Sequence, residues 1–197
     1  MPDTVTIAVD PARLTTWSVK QYAAMVESGA LMHNRVELIA GRIIDVSPVS
    51  NPHAAGVNIL AELLRDVPGP KLEIRTEQHI DLSPERSVPQ PDIAVCAWRS
   101  DRYGSRAPRA SDIRLVVEVA LSSLSYDRTT KRELYSLAGV PEYWIINLAD
   151  RQLERFVPGD GGQYPTEGTV FAEGARFAHE LLGGEVVVAN VLPGAGG

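Results

Sequence analysis

The chain has 197 residues, a net charge of −6 and a single cysteine. That length suits one domain, and 44% apolar content is enough to fill its core. One cysteine, Cys96, excludes a disulfide framework, and the acidic balance argues against a protein that coats nucleic acid non-specifically. The start Met1-Pro2-Asp3-Thr4-Val5-Thr6 has no basic end or apolar run, so no signal peptide is expected. No apolar run is long enough to span a membrane, and a reducing cytoplasm fits the cysteine usage.

The spacing predicts a helix beginning at Thr15-Thr16-Trp17-Ser18 and ending at Ser28-Gly29, with Trp17, Tyr22 or Val19, and Met25 or Val26 on one stripe. Residues 36–39 and 42–46 flank Ala40-Gly41 and read as a hairpin. Asn51-Pro52 reads as a cap and first-turn proline. The helix behind it carries Val57, Leu60, Ala61 and Leu64, and is expected to end near Val67-Pro68-Gly69. Residues 71–74 and 77–82 read as strands, or as one bent strand, and 93–97 and 113–120 as two more. A helix over 127–138 is closed by Gly139, a strongly apolar strand over 142–147 is expected to be central, and 152–157 follows. Weaker strands are expected at 169–171 and 185–188. The implied class is α/β (α+β), a mixed sheet with helices packed on it. It forms one domain over 1–197, with a core at about 15–157 and a β-rich extension over 158–197.

The chemistry concentrates in two acids and a lysine. Asp92 follows Pro91 at the start of the apolar run Ile93-Ala94-Val95-Cys96-Ala97, and Glu118 lies inside Leu115-Val116-Val117-Glu118-Val119-Ala120. A carboxylate in a buried strand is costly unless it is paired or binds a metal. By strand alternation Glu118 shares a face with Val116 and Ala120, while Leu115, Val117 and Val119 face the other way. Lys131 recurs with Leu134, Tyr135 and Ala138 at helical spacing, which places it on or beside the inward face. Mg²⁺ needs only one or two carboxylates plus water and phosphate, so Asp92 and Glu118 are candidate ligands. Lys131 could then steady charge on a phosphate or orient the attacking water. Taken singly, Asp92 also reads as a turn residue, Glu118 as half of a buried salt bridge and Lys131 as a snorkelling surface lysine.

Glu37 is a further acid in an apolar strand, either a supporting ligand or an exposed edge residue. Arg99, Arg102, Arg106 and Arg109 form a basic loop, a candidate phosphate contact or an ordinary solvated surface. The four histidines have no zinc-ligand spacing, and His53 at a helix start reads as a capping or surface residue, with phosphate contact the alternative. No nucleophile-elbow serine occurs, and Gly159-Asp160-Gly161-Gly162 lacks the lysine and helix of a phosphate cradle.

Five segments occur in a telling order: Val36-Glu37-Leu38-Ile39-Ala40-Gly41, Gln90-Pro91-Asp92-Ile93, Leu115 to Ala120, Tyr126-Asp127-Arg128 with Lys131, and Ala138-Gly139-Val140-Pro141-Glu142-Tyr143-Trp144. Together they resemble the Uma-type family, described as "putative restriction endonucleases", within the PD-(D/E)XK nuclease superfamily. The match runs from about Trp17 to Val157 and more weakly through Leu192-Pro193-Gly194. The resemblance implies a restriction-endonuclease-like core and Mg²⁺- or Mn²⁺-dependent hydrolysis of DNA. It implies that Asp92 and Glu118 hold the metal, that Glu37 supports them, and that a homodimer is the working form. The superfamily's lysine usually stands two residues after the second acid. Here that residue is Ala120, and Lys131 from the next helix takes its place. Relatives often carry a polar residue after the Glu-Val-Ala stretch, where this chain has Leu121. A catalytically inactive nucleic-acid-binding or assembly module on the same fold is the competing reading, and a metal-dependent hydrolase of nucleotides is a third.

Overall fold

The computed structural model of the chain describes residues 14–31, 35–46, 49–66 and 71–194. It opens with α1 (Val19–Glu27), capped by Ser18, whose side chain and that of Gln21 close a reciprocal capping box. The hairpin β1 (Val36–Ile39) and β2 (Arg42–Asp45) follows. Its turn residues Ala40 and Gly41 both have positive φ, 48° and 76°, the backbone a two-residue hairpin demands. Next come α2 (Asn51–Arg65), β3 (Leu72–Thr76), β4 (Ile93–Ala97) and β5 (Ile113–Ala120). Then α3 (Leu124–Tyr126) runs through a π-turn over Asp127–Lys131 into α4 (Arg132–Leu137). The strands β6 (Tyr143–Asn147), β7 (Gln152–Phe156) and β8 (Thr169–Ala172) complete the sheet, and β9 (Arg176–His179) pairs with β10 (Gly184–Val187).

The main sheet has six strands in the order β3-β4-β5-β6-β7-β8. Only β5 and β6 are parallel, and every other neighbouring pair is antiparallel. A parallel pair cannot be joined by a tight turn, and the α3–π–α4 crossover supplies the long connection. The strand β5, buried at every position but Arg114, separates two cores. Leu115, Val117 and Val119 pack with Val57, Leu60, Ala61 and Leu64 of α2. Val116 and Ala120 pack with Leu134 and Tyr135 of α4 on the other side. Val186, Val188, Val191 and Leu192 join the α2-side core, so the C-terminal extension and the sheet share one apolar cluster.

Several expected elements differ. The stripe on α1 is only half-buried, through Trp17, Val19, Tyr22 and Met25, and Val26 falls outside it at 51% exposed. Ser50, not Asn51, caps α2, and Pro52 falls inside the first turn. Its predicted end at Val67-Pro68-Gly69 lies outside the described residues. Residues 77–82 form no strand: Glu77 takes a φ of 49°, and only isolated bridges remain at Asp81 and Leu82. The helix predicted from 127 starts at Leu124, and β9 has no counterpart in the expected elements.

Candidate active site

The site forms where α2, β1, the start of β4, the end of β5 and the π-turn meet. Asp92 precedes β4 at the rim of the sheet, where elements on either face can reach it. Glu118 comes from the middle of the apolar β5, on the α4 side, and is 5% exposed. The π-turn carries Lys131 under the sheet, where it is 4% exposed. Single π-turns inside α-helices often lie at functional sites. Glu37 approaches from β1 and is 3% exposed. All four line one cleft of about 370 Å³.

Each contact has a donor and a purpose. Lys131 Nζ donates to Glu37 Oε1 at 2.9 Å and to Glu118 Oε1 at 3.0 Å. The Tyr135 hydroxyl donates to Glu118 Oε1 at 2.7 Å, and the Asp92 backbone N–H to Glu118 Oε2 at 3.2 Å. The Gln90 N–H donates to Glu37 Oε1 at 2.6 Å. Asp92 Oδ2 accepts the Val119 N–H at 2.6 Å, and Asp92 Oδ1 lies 3.1 Å from His53 Nε2. A proton on Nε2 suits that contact, because an ionised carboxylate can only accept.

Burial pushes the Glu118 carboxyl upward, and the Lys131 charge draws it back. Burial would also lower Lys131, but its carboxylate partners override it and the ammonium is held well above its ordinary range. These two directions compete for one pair of charges. Two donors converging on Glu118 Oε1 favour the carboxylate–ammonium form. His53 is raised above its ordinary value by the Asp92 hydrogen bond, against the pull of burial. Asp127 is pushed up to about 6 by burial, although Ser123 Oγ donates to its Oδ2 at 2.6 Å.

Three cleft residues escaped the expected set. Asp127 precedes Lys131 by four residues, one helical turn, so its inward placement was available from the stripe that located Lys131. Tyr126, beside it, also lines the cleft. His53 is no capping or surface residue: its ring is seated on Asp92, 39 residues away, and only the packing of α2 brings them together. Gly56, one turn further along α2, permits that approach: a Cβ there would stand 3.0 Å from Val119 Cγ1.

The arginine loop lies elsewhere. None of Arg99, Arg102, Arg106 and Arg109 lines the cleft. Arg99 pairs with Asp101 at 2.8 Å and Arg106 with Asp112 at 2.6 Å, Arg102 meets Glu73, and Arg109 lies 3.8 Å from Asp81. Arg99 and Arg106 also flank the Tyr103 ring, 5.4 and 5.7 Å from its centroid.

Could the residues present hold a cation? Among the described residues, no three His, Cys, Asp or Glu side chains surround a common point. Asp92 and Glu118 nevertheless suit a hard ion. Both Asp92 oxygens and Glu118 Oε2 each meet one protein partner, leaving a lone pair on each. Mg²⁺ is commonly held by one or two carboxylates, with water and substrate phosphate completing its shell. Among the described residues, the cleft walls also hold six carboxylates (Glu37, Asp45, Glu77, Asp92, Glu118 and Asp127) against only Arg35 and Lys131 as permanent cations. A phosphate ester would meet net repulsion there without an added cation.

A mixed six-stranded sheet flanked by helices, with acids gathered at its rim, defines a nuclease-like α+β fold. The structure resembles the crystal structure of a putative nuclease belonging to DUF820 from Anabaena variabilis, with a TM-score of 0.60 and 19% identity. The likeness covers 79% of this chain and 88% of that one. No protein of curated function matches the sequence. Residues 20–193 match the model of Uma2, described as "Putative restriction endonuclease", and the chain belongs to that family.

Proposed function

We propose that this protein is a cytoplasmic, Mg²⁺- or Mn²⁺-dependent endonuclease that hydrolyses phosphodiester bonds in DNA and works as a homodimer. The observation that carries the reading is the meeting of Asp92 and Glu118 in one cleft beside a buried, doubly paired Lys131. Family membership supports the nuclease class. Two active sites would serve a duplex with two strands to cut.

Asp92 and Glu118 would hold the cation; when bound, it supplies Lewis-acid polarisation of the phosphate and a more acidic water. The Val119 N–H fixes Asp92, and Tyr135 fixes Glu118. Lys131 favours the ionised form of Glu118 against the upward push of burial and balances part of the cleft's negative charge. Seating His53 on Asp92 orients that carboxylate from the α2 side.

Plasmid cleavage with Mg²⁺ tests the proposal. Wild type should cut, and Asp92→Ala and Glu118→Gln should not cut above background. Mn²⁺ should raise the wild-type melting temperature, since a ligand at 100 times its Kd adds about 2.7 kcal/mol. The Asp92→Ala protein should lose most of that shift. Undiminished cutting by either variant would place the chemistry elsewhere.

A further inference from the structure

Among the donors lining the cleft, most are already engaged. Lys131 is shared between Glu37 and Glu118. Ser123 is bound to Asp127, and the Gln90 side chain to the Glu77 carbonyl. The Tyr126 hydroxyl is different: its residue lines the same cleft, the hydroxyl itself is buried, and among the described residues it has no protein partner. A buried hydroxyl without a partner carries a desolvation cost, and such groups call for an explanation such as a catalytic role. Tyr126 enters the π-turn that ends at Lys131, so the turn that seats the lysine also sets the ring against the cleft. Burial pushes the phenol up to about 12, so it keeps its proton at neutral pH.

We infer that the Tyr126 hydroxyl is a catalytic hydrogen-bond donor, held in the free protein for a non-bridging oxygen of the substrate's phosphate. The inference rests on the nuclease reading and deepens it. Lys131 is spent on carboxylates, which leaves phosphate stabilisation from this turn to a neutral donor. A neutral donor adds no charge to the cleft, so it should leave cation binding undisturbed.

Tyr126→Phe tests this with three readings. The metal-free variant should melt higher, by about 2–4 °C, because a buried orphan hydroxyl has been removed. Its Mn²⁺ affinity, measured by calorimetry, should match wild type. Its single-turnover cleavage rate should fall about 100-fold, as when one donor to a developing oxyanion is lost. A lower melting temperature would reveal an internal partner, and an unaltered rate would show that the phosphate does not need the hydroxyl. Either overturns the inference. If wild type itself fails to cut DNA, the nuclease reading falls separately and inorganic phosphate, added together with Mg²⁺, decides. A phosphate-induced rise in melting temperature that Tyr126→Phe lacks keeps the donor role; equal shifts, zero included, overturn it.

Discussion

At the scale of single residues, Lys131 is the costliest to lose. Its ammonium is buried between Glu37 and Glu118, each under 10% exposed. Removing one partner of a buried pair leaves uncompensated charge, typically at about 3–5 kcal/mol. Lys131→Met should therefore lower stability by about that amount in urea melts at neutral pH. Adding Glu37→Gln should restore part of the loss, because one orphaned carboxylate becomes neutral. Additive losses in the double variant would show that Glu37 and Lys131 do not act as a pair. This also limits what Lys131 can reveal about catalysis, since a variant that melts early loses activity for two reasons. Asp92, Glu118 and Lys131 were legible because strand alternation and a helical stripe assign faces without tertiary knowledge. His53 was not, because its meaning depends on where α2 lands on β5. Tyr126 was not, because an unpartnered hydroxyl can be recognised only after every neighbour has been placed.

At the scale of elements, the closeness of α2 to β5 rests on Gly56. A Cβ there would meet Val119 Cγ1 at 3.0 Å and Leu148 Cδ2 at 3.7 Å. Alanine would gain about 1 kcal/mol in helix propensity, but a bulky side chain cannot be accommodated so cheaply. Gly56→Leu should push α2 outward, lower the melting temperature and loosen His53 from Asp92. In an NMR titration the His53 pKa should then fall back toward its ordinary value, since the Asp92 hydrogen bond is its largest raising influence. An unmoved His53 would mean that α2 is not held by this contact. On the same face, Glu142 ties β6, β7 and β9 together: it accepts from Trp144 Nε1 at 2.6 Å, Arg155 Nε at 2.6 Å and His179 Nε2 at 3.0 Å. Burial alone would raise this carboxyl, but those hydrogen bonds overcome it and hold it below the ordinary value of 4.5. A depressed folded value means the contribution is complete above the unfolded pKa and is lost as pH falls through the folded one. Wild type should lose stability steeply below about pH 4.5, and Glu142→Gln should flatten that limb of the melting curve. Neither β9 nor the fate of 77–82 could be read from pattern. Four residues without alternation give no period, and a positive φ at Glu77 breaks a run whose alternating Ile80 and Leu82 suggest a strand.

At the scale of the whole molecule, the question is how a chain of charge −6 would meet a polyanion. The basic loop is a poor candidate, although its composition first suggested it. Arg99, Arg102 and Arg106 face Asp101, Glu73 and Asp112, two of them brace Tyr103, and Arg109, only loosely paired with Asp81 at 3.8 Å, lies away from the cleft. Composition counts charges, whereas pairing decides which of them are free. Arg35 is better placed: it lines the cleft, its side chain is 49% exposed, and its pairing with Glu77 is long at 3.5 Å. Each duplex phosphate neutralised contributes about −0.9 to the slope of log affinity against log salt. In a fluorescence-anisotropy salt series with Ca²⁺ in place of Mg²⁺, Arg35→Gln should flatten the slope by about 0.9. Arg99→Gln with Arg106→Gln should leave the slope unchanged and lower the melting temperature instead, because Asp101 and Asp112 lose their partners. The opposite pattern, a flattened slope from the loop variant and none from Arg35→Gln, would move the DNA track from the cleft mouth to the loop.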